Sequence, residues 1–185
     1  NGRGGAITYA IVGGSGSATV NASSGLVRGF SAGTVTLVAS SAGDASYSAS
    51  SVNQVLTITS ITPTLTITSG NTLPVDGSLS ASVTTTATAG RGGAITYAII
   101  GGSGSATVNA SSGLVRGVSA GTVTLVASAV GDASYSASSV NQVLTITLGA
   151  PVLTITSAYT VAVDGSLTAS VTTTATDGRG GAITY

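Results

Sequence analysis

The sequence predicts an all-β chain built from tandem antiparallel β-sandwiches. Three observations carry this prediction. Apolar and polar residues alternate with a period of two, short glycine-rich turns separate the alternating segments, and no segment has the period of an amphipathic helix. Many short strands joined by turns are typical of two packed sheets rather than of a sheet covered by helices.

The chain repeats itself, which defines the size of each sandwich. The segment GRGGAITYAI starts at Gly2 and at Gly90, and it begins again at Gly178. Each start lies 88 residues after the previous one, so the period is 88 residues. The two aligned copies differ at 14 of 88 positions. This period is too long for the unit of a solenoid and suits one small globular domain with about seven strands.

Two prolines place the domain boundaries. Pro63 and Pro151 each precede an alternating segment, TLTITS or VLTITS, and proline is tolerated at the start of a strand. Residues 63–150 are therefore predicted to form one complete repeat. Residues 1–62 are the C-terminal part of a repeat whose first strands are missing, and residues 151–185 are the N-terminal strands of the next repeat.

Within residues 63–150 the alternating apolar positions predict the strands in order. Turns are expected between the strands, and the GGSGS segment at Gly101–Ser105 is expected to be a hairpin turn. The predicted strands contain Leu65 and Ile67; Leu79, Ala81 and Val83; Ile95, Tyr97 and Ile99; Ala106 and Val108; Val115; Val123, Leu125 and Ala127; and Val140, Gln142, Leu144 and Ile146.

Composition excludes most enzyme chemistry. The ten charged side chains are all Arg or Asp, the net charge is zero, and Lys, Glu, His, Cys, Met and Trp are absent. Without these side chains there is no imidazole base, thiol nucleophile, disulfide, Schiff-base lysine, or ordinary zinc, haem or iron–sulfur site. We therefore predict no enzyme and no catalytic, cofactor-binding or metal-binding residues. Without clustered basic residues we also expect no binding to nucleic acid. No segment is predicted to insert into a membrane.

Two segments of the complete repeat resemble a known family. ATVNASSGLVRGVSAGTVTLVAS at 106–128 and GDASYSASSVNQVLTIT at 131–147 are similar to bacterial immunoglobulin-like (Big-type) repeat domains, and both recur at 18–40 and 43–59. The resemblance implies an immunoglobulin-like sandwich. It also implies an extracellular location at the bacterial cell surface, where such domains form the stalks of adhesins.

Two functions follow as hypotheses. The first is a structural repeat of an extracellular fibre, filament or surface stalk that associates with identical neighbouring repeats or chains, including by strand complementation between segments such as 1–62 and 151–185. The second is an adhesin module that recognises a glycan or a host surface. The second predicts an exposed aromatic cluster or an acidic calcium cluster.

A few residues are candidates for specific roles. Tyr47 and Tyr135, in the segment GDASY, are interpreted as packing tyrosines whose hydroxyl caps a backbone group, with a sugar-stacking platform as the alternative. The GRGG segments are interpreted as turns rather than RNA-binding elements. A Thr–Gln ester at Gln54 or Gln142 stays formally open. A weak calcium site between domains also stays open, although no two aspartates are close in sequence among Asp44, Asp76, Asp132, Asp164 and Asp177.

Overall fold

The computed structural model describes residues 5–175 and 181–184, and the regular structure of these residues is entirely β. No helix in the described residues is long and apolar enough to cross a membrane. The strands are β1 Ile7–Val12, β2 Ser17–Val20, β3 Val27–Ser31, β4 Gly33–Ser41, β5 Ser50–Ile58, β6 Leu65–Ile67, β7 Thr72–Pro74, β8 Ser78–Ser80, β9 Val83–Thr85, β10 Ile95–Ile100, β11 Ser105–Val108, β12 Leu114–Ser119, β13 Gly121–Ala129, β14 Ser138–Thr147, β15 Leu153–Ile155 and β16 Val171–Thr173.

Strands β6–β14 form a sandwich, which confirms the predicted fold class. One sheet has the order β10-β13-β14-β7, the other has the order β11-β12-β8, and β6 pairs with β9. The long strands β13 and β14 pair antiparallel over their whole length, from Gly121 opposite Ile146 to Ala129 opposite Ser138. Strand β7 runs parallel to β14.

The core lies between these sheets. It is a cluster of seven buried residues, with partly buried side chains from β6, β8, β10 and β11 packed against it. The alternation in the sequence places these side chains, because successive residues of a strand point to opposite faces. Full burial of one such aliphatic side chain stabilises the fold by about 1.5–3 kcal/mol. The cluster consists of Leu73, Ala81, Val115, Val123, Leu125, Leu144 and Ile146.

The structure has nine strands between residues 63 and 150 rather than about seven. The strand predicted over 79–83 is divided, because β8 pairs with β12 whereas β9 pairs with β6. Between them, the Ala81 amide donates to the carbonyl of Gly113. The other addition is β7, which ends in Pro74 and lies at the edge of its sheet. A proline is tolerated there because an edge strand needs fewer ladder donors.

The GGSGS turn was expected to close a hairpin, and this expectation is wrong. The flanking strands β10 and β11 belong to different sheets, so the turn carries the chain across the sandwich. Gly102 lies in this turn at φ 141°, and a Cβ there would overlap the carbonyl oxygen of Thr122. The close approach of two backbone segments therefore requires glycine at this position.

Two further groups of strands flank the sandwich. Before it, β1, β4 and β5 form one antiparallel sheet, and β2 pairs with β3. After it, β15 pairs with β16. The pairings of β1 with β4 and of β4 with β5 have the same register as those of β10 with β13 and of β13 with β14, 88 positions later.

Candidate interface between repeats

The loop that joins β13 to β14 is held in shape by one aspartate. The carboxylate oxygen Oδ1 of Asp132 accepts hydrogen bonds from the amides of Ser134 (2.7 Å) and Tyr135 (2.9 Å). Its Oδ2 accepts a third bond, from the amide of Gly92 (2.7 Å). Aspartate favours such turns because its short side chain reaches amides two and three residues ahead. The loop therefore has a fixed shape before anything docks on it.

The same hydrogen bonds change the acidity of Asp132. The amide of Gly92, followed by those of Ser134 and Tyr135, holds the pKa of the Asp132 carboxyl below its usual value. Backbone donors stabilise the charged form more than the neutral form. The loop consequently keeps its anionic clamp throughout the neutral and mildly acidic range.

Tyr135 fixes the other side of the loop. Only 8% of its surface is exposed. Its hydroxyl accepts a hydrogen bond from the Thr88 amide (3.1 Å) and pairs with the Thr88 hydroxyl (2.9 Å). Both bonds lower the pKa of the Tyr135 phenol, and the bond with the Thr88 side chain lowers it most. The prediction of a packing tyrosine that caps the backbone is confirmed for Tyr135. Its buried ring has no open face on which a sugar could stack.

The outer side of the same loop contacts the preceding repeat. The amide of Ala32 donates to the carbonyl of Ala133 (2.6 Å). The Ser134 hydroxyl donates to the carbonyl of Phe30 (2.7 Å). These bonds join residues about a hundred positions apart in the chain, across the boundary predicted at Pro63.

The linker between the repeats adds three more bonds. The amide of Ile61 donates to the carbonyl of Ser134 (3.0 Å), and the amide of Ser136 donates to the carbonyl of Ile61 (2.9 Å). The hydroxyls of Ser60 and Ser136 lie 2.6 Å apart. Two parallel backbone bonds make a short β-bridge between Ile61 and Tyr135. We call this set of residues, 30–32, 59–61 and 132–136, the junction.

Ser134 lies at the centre of the junction. In addition to its bond to Phe30, its hydroxyl accepts a hydrogen bond from Nη1 of Arg91 (3.0 Å). Arg91 comes from the GRGG segment of the complete repeat, which forms a turn before β10, as predicted. Of the GRGG copies that start at Gly2 and Gly178, only the last glycines, Gly5 and Gly181, lie within the described residues. A cavity of about 120 Å³ remains beside Arg91, Phe30 and Ile58.

The polar groups of the junction are directed mostly at peptide backbone. Within residues 5–175 and 181–184, no three carboxylates lie close enough together to hold a metal ion. Asp132 directs its oxygens to three amides, and Asp177 lies outside the described residues. Gln142, the candidate for an ester, donates its side-chain amide to the carbonyl of Ser69 (3.2 Å). These groups shape the fold and its contacts.

The sequence carries one signal for this junction that lies outside the strand pattern. The two copies agree almost everywhere, yet they differ at four positions in or next to the junction. At these positions Phe30 corresponds to Val118, Ser60 to Leu148, Ile61 to Gly149 and Thr62 to Ala150. Four of the 14 differences between the copies therefore lie in or next to the residues that contact the neighbouring repeat.

Comparison with known proteins leaves the junction as the main guide to function. The chain matches no family model and no curated protein.

Proposed function

We propose that this chain is a structural repeat of an extracellular bacterial fibre, filament or surface stalk, of the bacterial immunoglobulin-like kind, and that it has no enzymatic activity. The observation that carries the proposal is the junction, in which five hydrogen bonds tie one repeat to the next. A stalk transmits length and direction only if successive domains hold a defined orientation.

The strength of the junction supports this role. A hydrogen bond contributes about 0.5–1.5 kcal/mol net, so five together contribute roughly 3–7 kcal/mol before the entropy of ordering the linker is subtracted. Three of the five join backbone to backbone, and the loop that takes part in all three is already ordered by Asp132. The loop therefore loses little additional entropy, so the docked orientation is favoured over a freely jointed one.

The outer sheet faces support association between identical chains. Ile100 and Val143 flank Thr124 in one cross-strand row, and they are 52% and 57% exposed. The corresponding Val12 and Val55 of the preceding repeat are 48% and 66% exposed. Because only ten side chains in the chain are charged, repulsion between copies is weak. An apolar row repeated along a fibre suits lateral contact with other copies.

Electron microscopy of an array of several repeats tests the proposal. We expect ordered filaments with an axial repeat of roughly 30–40 Å per domain, from strands of about ten residues at 3.3 Å each. Flexible strings of beads would contradict a self-associating fibre. Binding of the array to a glycan, in the absence of filaments, would support the adhesin alternative instead.

A matched pair of variants tests whether the junction keeps the filament straight. The double variant Ser60→Ala, Ser134→Ala removes both side-chain bonds between the repeats without touching the core. We expect filaments of this variant to lose their straightness. The control is Ser111→Ala, because Ser111 bonds only within the turn formed by Asn109. Equal curvature of both variants would contradict a role for the junction in holding the axis.

A further inference from the structure

The chain enters the complete repeat beside its last strand and runs parallel to it. The linker residue Ile61 forms a parallel β-bridge with Tyr135, just before β14 begins. Further along, the side-chain amide of Gln142 in β14 donates to the carbonyl of Ser69 (3.2 Å). The entering segment and the last strand therefore advance side by side in the same direction.

Strand β7 continues this parallel course to the end of the sandwich. It pairs parallel with β14. The amide of Thr145 donates to the carbonyl of Asn71 (2.8 Å), and the amide of Val75 donates to the carbonyl of Thr147 (2.9 Å). Backbone bonds thus join the two segments at both ends of β7. We call the two parallel segments, 61–75 and 135–147, the seam.

The seam places the entry and the exit of the chain at opposite ends of the sandwich. The chain enters at Ile61, beside the start of β14, and leaves after Thr147, at the end of β14. The ten residues of β14 span about 33 Å. Tension on the chain therefore pulls the two segments past each other along their length.

This direction of loading is the one that hydrogen bonds between strands resist best. When two strands are pulled past each other, all the bonds between them carry the load together. When an antiparallel pair is pulled apart from one end, its bonds carry the load singly and break one after another. The parallel course of the seam puts its bonds in the first situation.

The seam is also anchored in the core. Leu73 of β7 is 2% exposed and belongs to the same core cluster as Leu144 and Ile146 of β14. Beyond β7, the amide of Asp76 donates to the carbonyl of Gly117 in β12 (3.0 Å). Strand β7 cannot slide along β14 without drawing the Leu73 side chain out of the core and breaking this bond.

We propose that the seam is a load-bearing element, and that it makes the complete repeat resistant to tension applied along the chain. The resistance depends on direction, because it requires the segments 61–75 and 135–147 to be pulled past each other. This inference rests on the proposed function, because a fibre or stalk is loaded along its axis. Each repeat then keeps its folded length while the chain is stretched.

Single-molecule force measurements on the full chain test the dependence on direction. The chain has no cysteine, so a pair of introduced thiols defines where the force is applied. The pair Thr62→Cys, Gly149→Cys loads the seam along its length, and both positions are exposed. The matched control is Ala120→Cys, Gly149→Cys. It separates the adjacent ends of β13 and β14, where Gly121 lies opposite Ile146.

We expect the force that unfolds the repeat to be at least about twice as high in the first geometry, because hydrogen bonds of comparable strength break together rather than singly. The length released identifies each event. Residues 62–149 span roughly 290–320 Å when extended, and residues 120–149 span roughly 100 Å. Equal unfolding forces in the two geometries would overturn the proposal.

Two core variants locate the resistance within the first geometry. Leu73→Ala should raise the unfolding rate at a fixed force by about tenfold or more, because the side chain leaves the core when β7 moves. The matched control is Leu125→Ala on β13, which is buried equally well. Its packing persists while β7 detaches, so we expect a much smaller change in rate. Equal changes for both variants would contradict shear of the seam as the limiting step.

These measurements use single molecules, so their outcome is independent of association between chains. Filaments formed by a chain that shows no difference between the two geometries would refute the seam and leave the proposed structural role intact. A clear difference between the geometries in a chain that forms no filaments would support the seam and count against a self-associating fibre.

Discussion

Leu125→Ala tests the packing of the complete repeat at its centre. The Leu125 side chain is 0% exposed and belongs to the seven-residue core. Its truncation removes the equivalent of three methylenes, which is about 2.4 kcal/mol of transfer free energy at 0.8 kcal/mol each. A site enclosed by two sheets collapses only partly and adds the cost of a cavity. We expect a loss of about 3–4 kcal/mol in the free energy of unfolding, within the range of about 2–5 kcal/mol for such changes.

Native-state hydrogen exchange measures this loss of stability in residues 63–150 separately from the rest of the chain. Because β13 and β14 are the central strands of their sheet, we expect their amides to exchange only when the repeat opens as a whole, so that their protection gives its free energy of unfolding. The control is Val143→Ala on the outer face of β14, where 57% exposure predicts a loss below about 1 kcal/mol. The reasoning fails if Leu125→Ala costs no more than its control.

Three further predictions concern the loops. Gly102→Ala should lower the melting temperature strongly, because its Cβ overlaps a backbone carbonyl, whereas Gly149→Ala, with nothing within 4 Å, should not. Tyr135→Phe should lower it by several degrees through loss of the Thr88 bonds, whereas Tyr47→Phe, at a position 54% exposed, should leave it unchanged. The lowered pKa of Asp132 implies stability that is present above about pH 4 and lost as the pH falls through the lower folded value. Melting curves from pH 2.5 to 7 should show this loss, and Asp132→Asn should reduce it.

Local pattern predicted the parts of the fold that local physics determines. Alternation identified the inward face of β13 at Val123, Leu125 and Ala127, because a half-buried strand requires a period of two. It also predicted the capping role of Tyr135, whereas Tyr47, in the other GDASY segment, is 54% exposed. These features depend on a few neighbouring residues, and the sequence displays them directly.

Features that depend on distant partners were harder to predict. The division of the strand at Ala81 follows from which strands lie beside it, and nothing within residues 79–83 distinguishes one long strand from two short ones. The GGSGS turn has the composition of a hairpin, but the destination of the chain after it is set by sheet order. The junction joins Phe30 to Ser134, and a pairing at that separation has no local signature.

The junction also explains why near-identical repeats differ where they meet. Three of its five hydrogen bonds use backbone groups, so side chains there can change without removing them. A change in the core has less freedom, because every buried side chain fills a defined volume, and six of the seven core residues have identical counterparts 88 positions away. At the counterpart of Ser60 the chain carries Leu148, which is 81% exposed and lines an open cavity of about 720 Å³ beside Ala120 and Pro151. Each joint of an array would then keep the same backbone bridge while its side chains adjust how firmly the next domain is held.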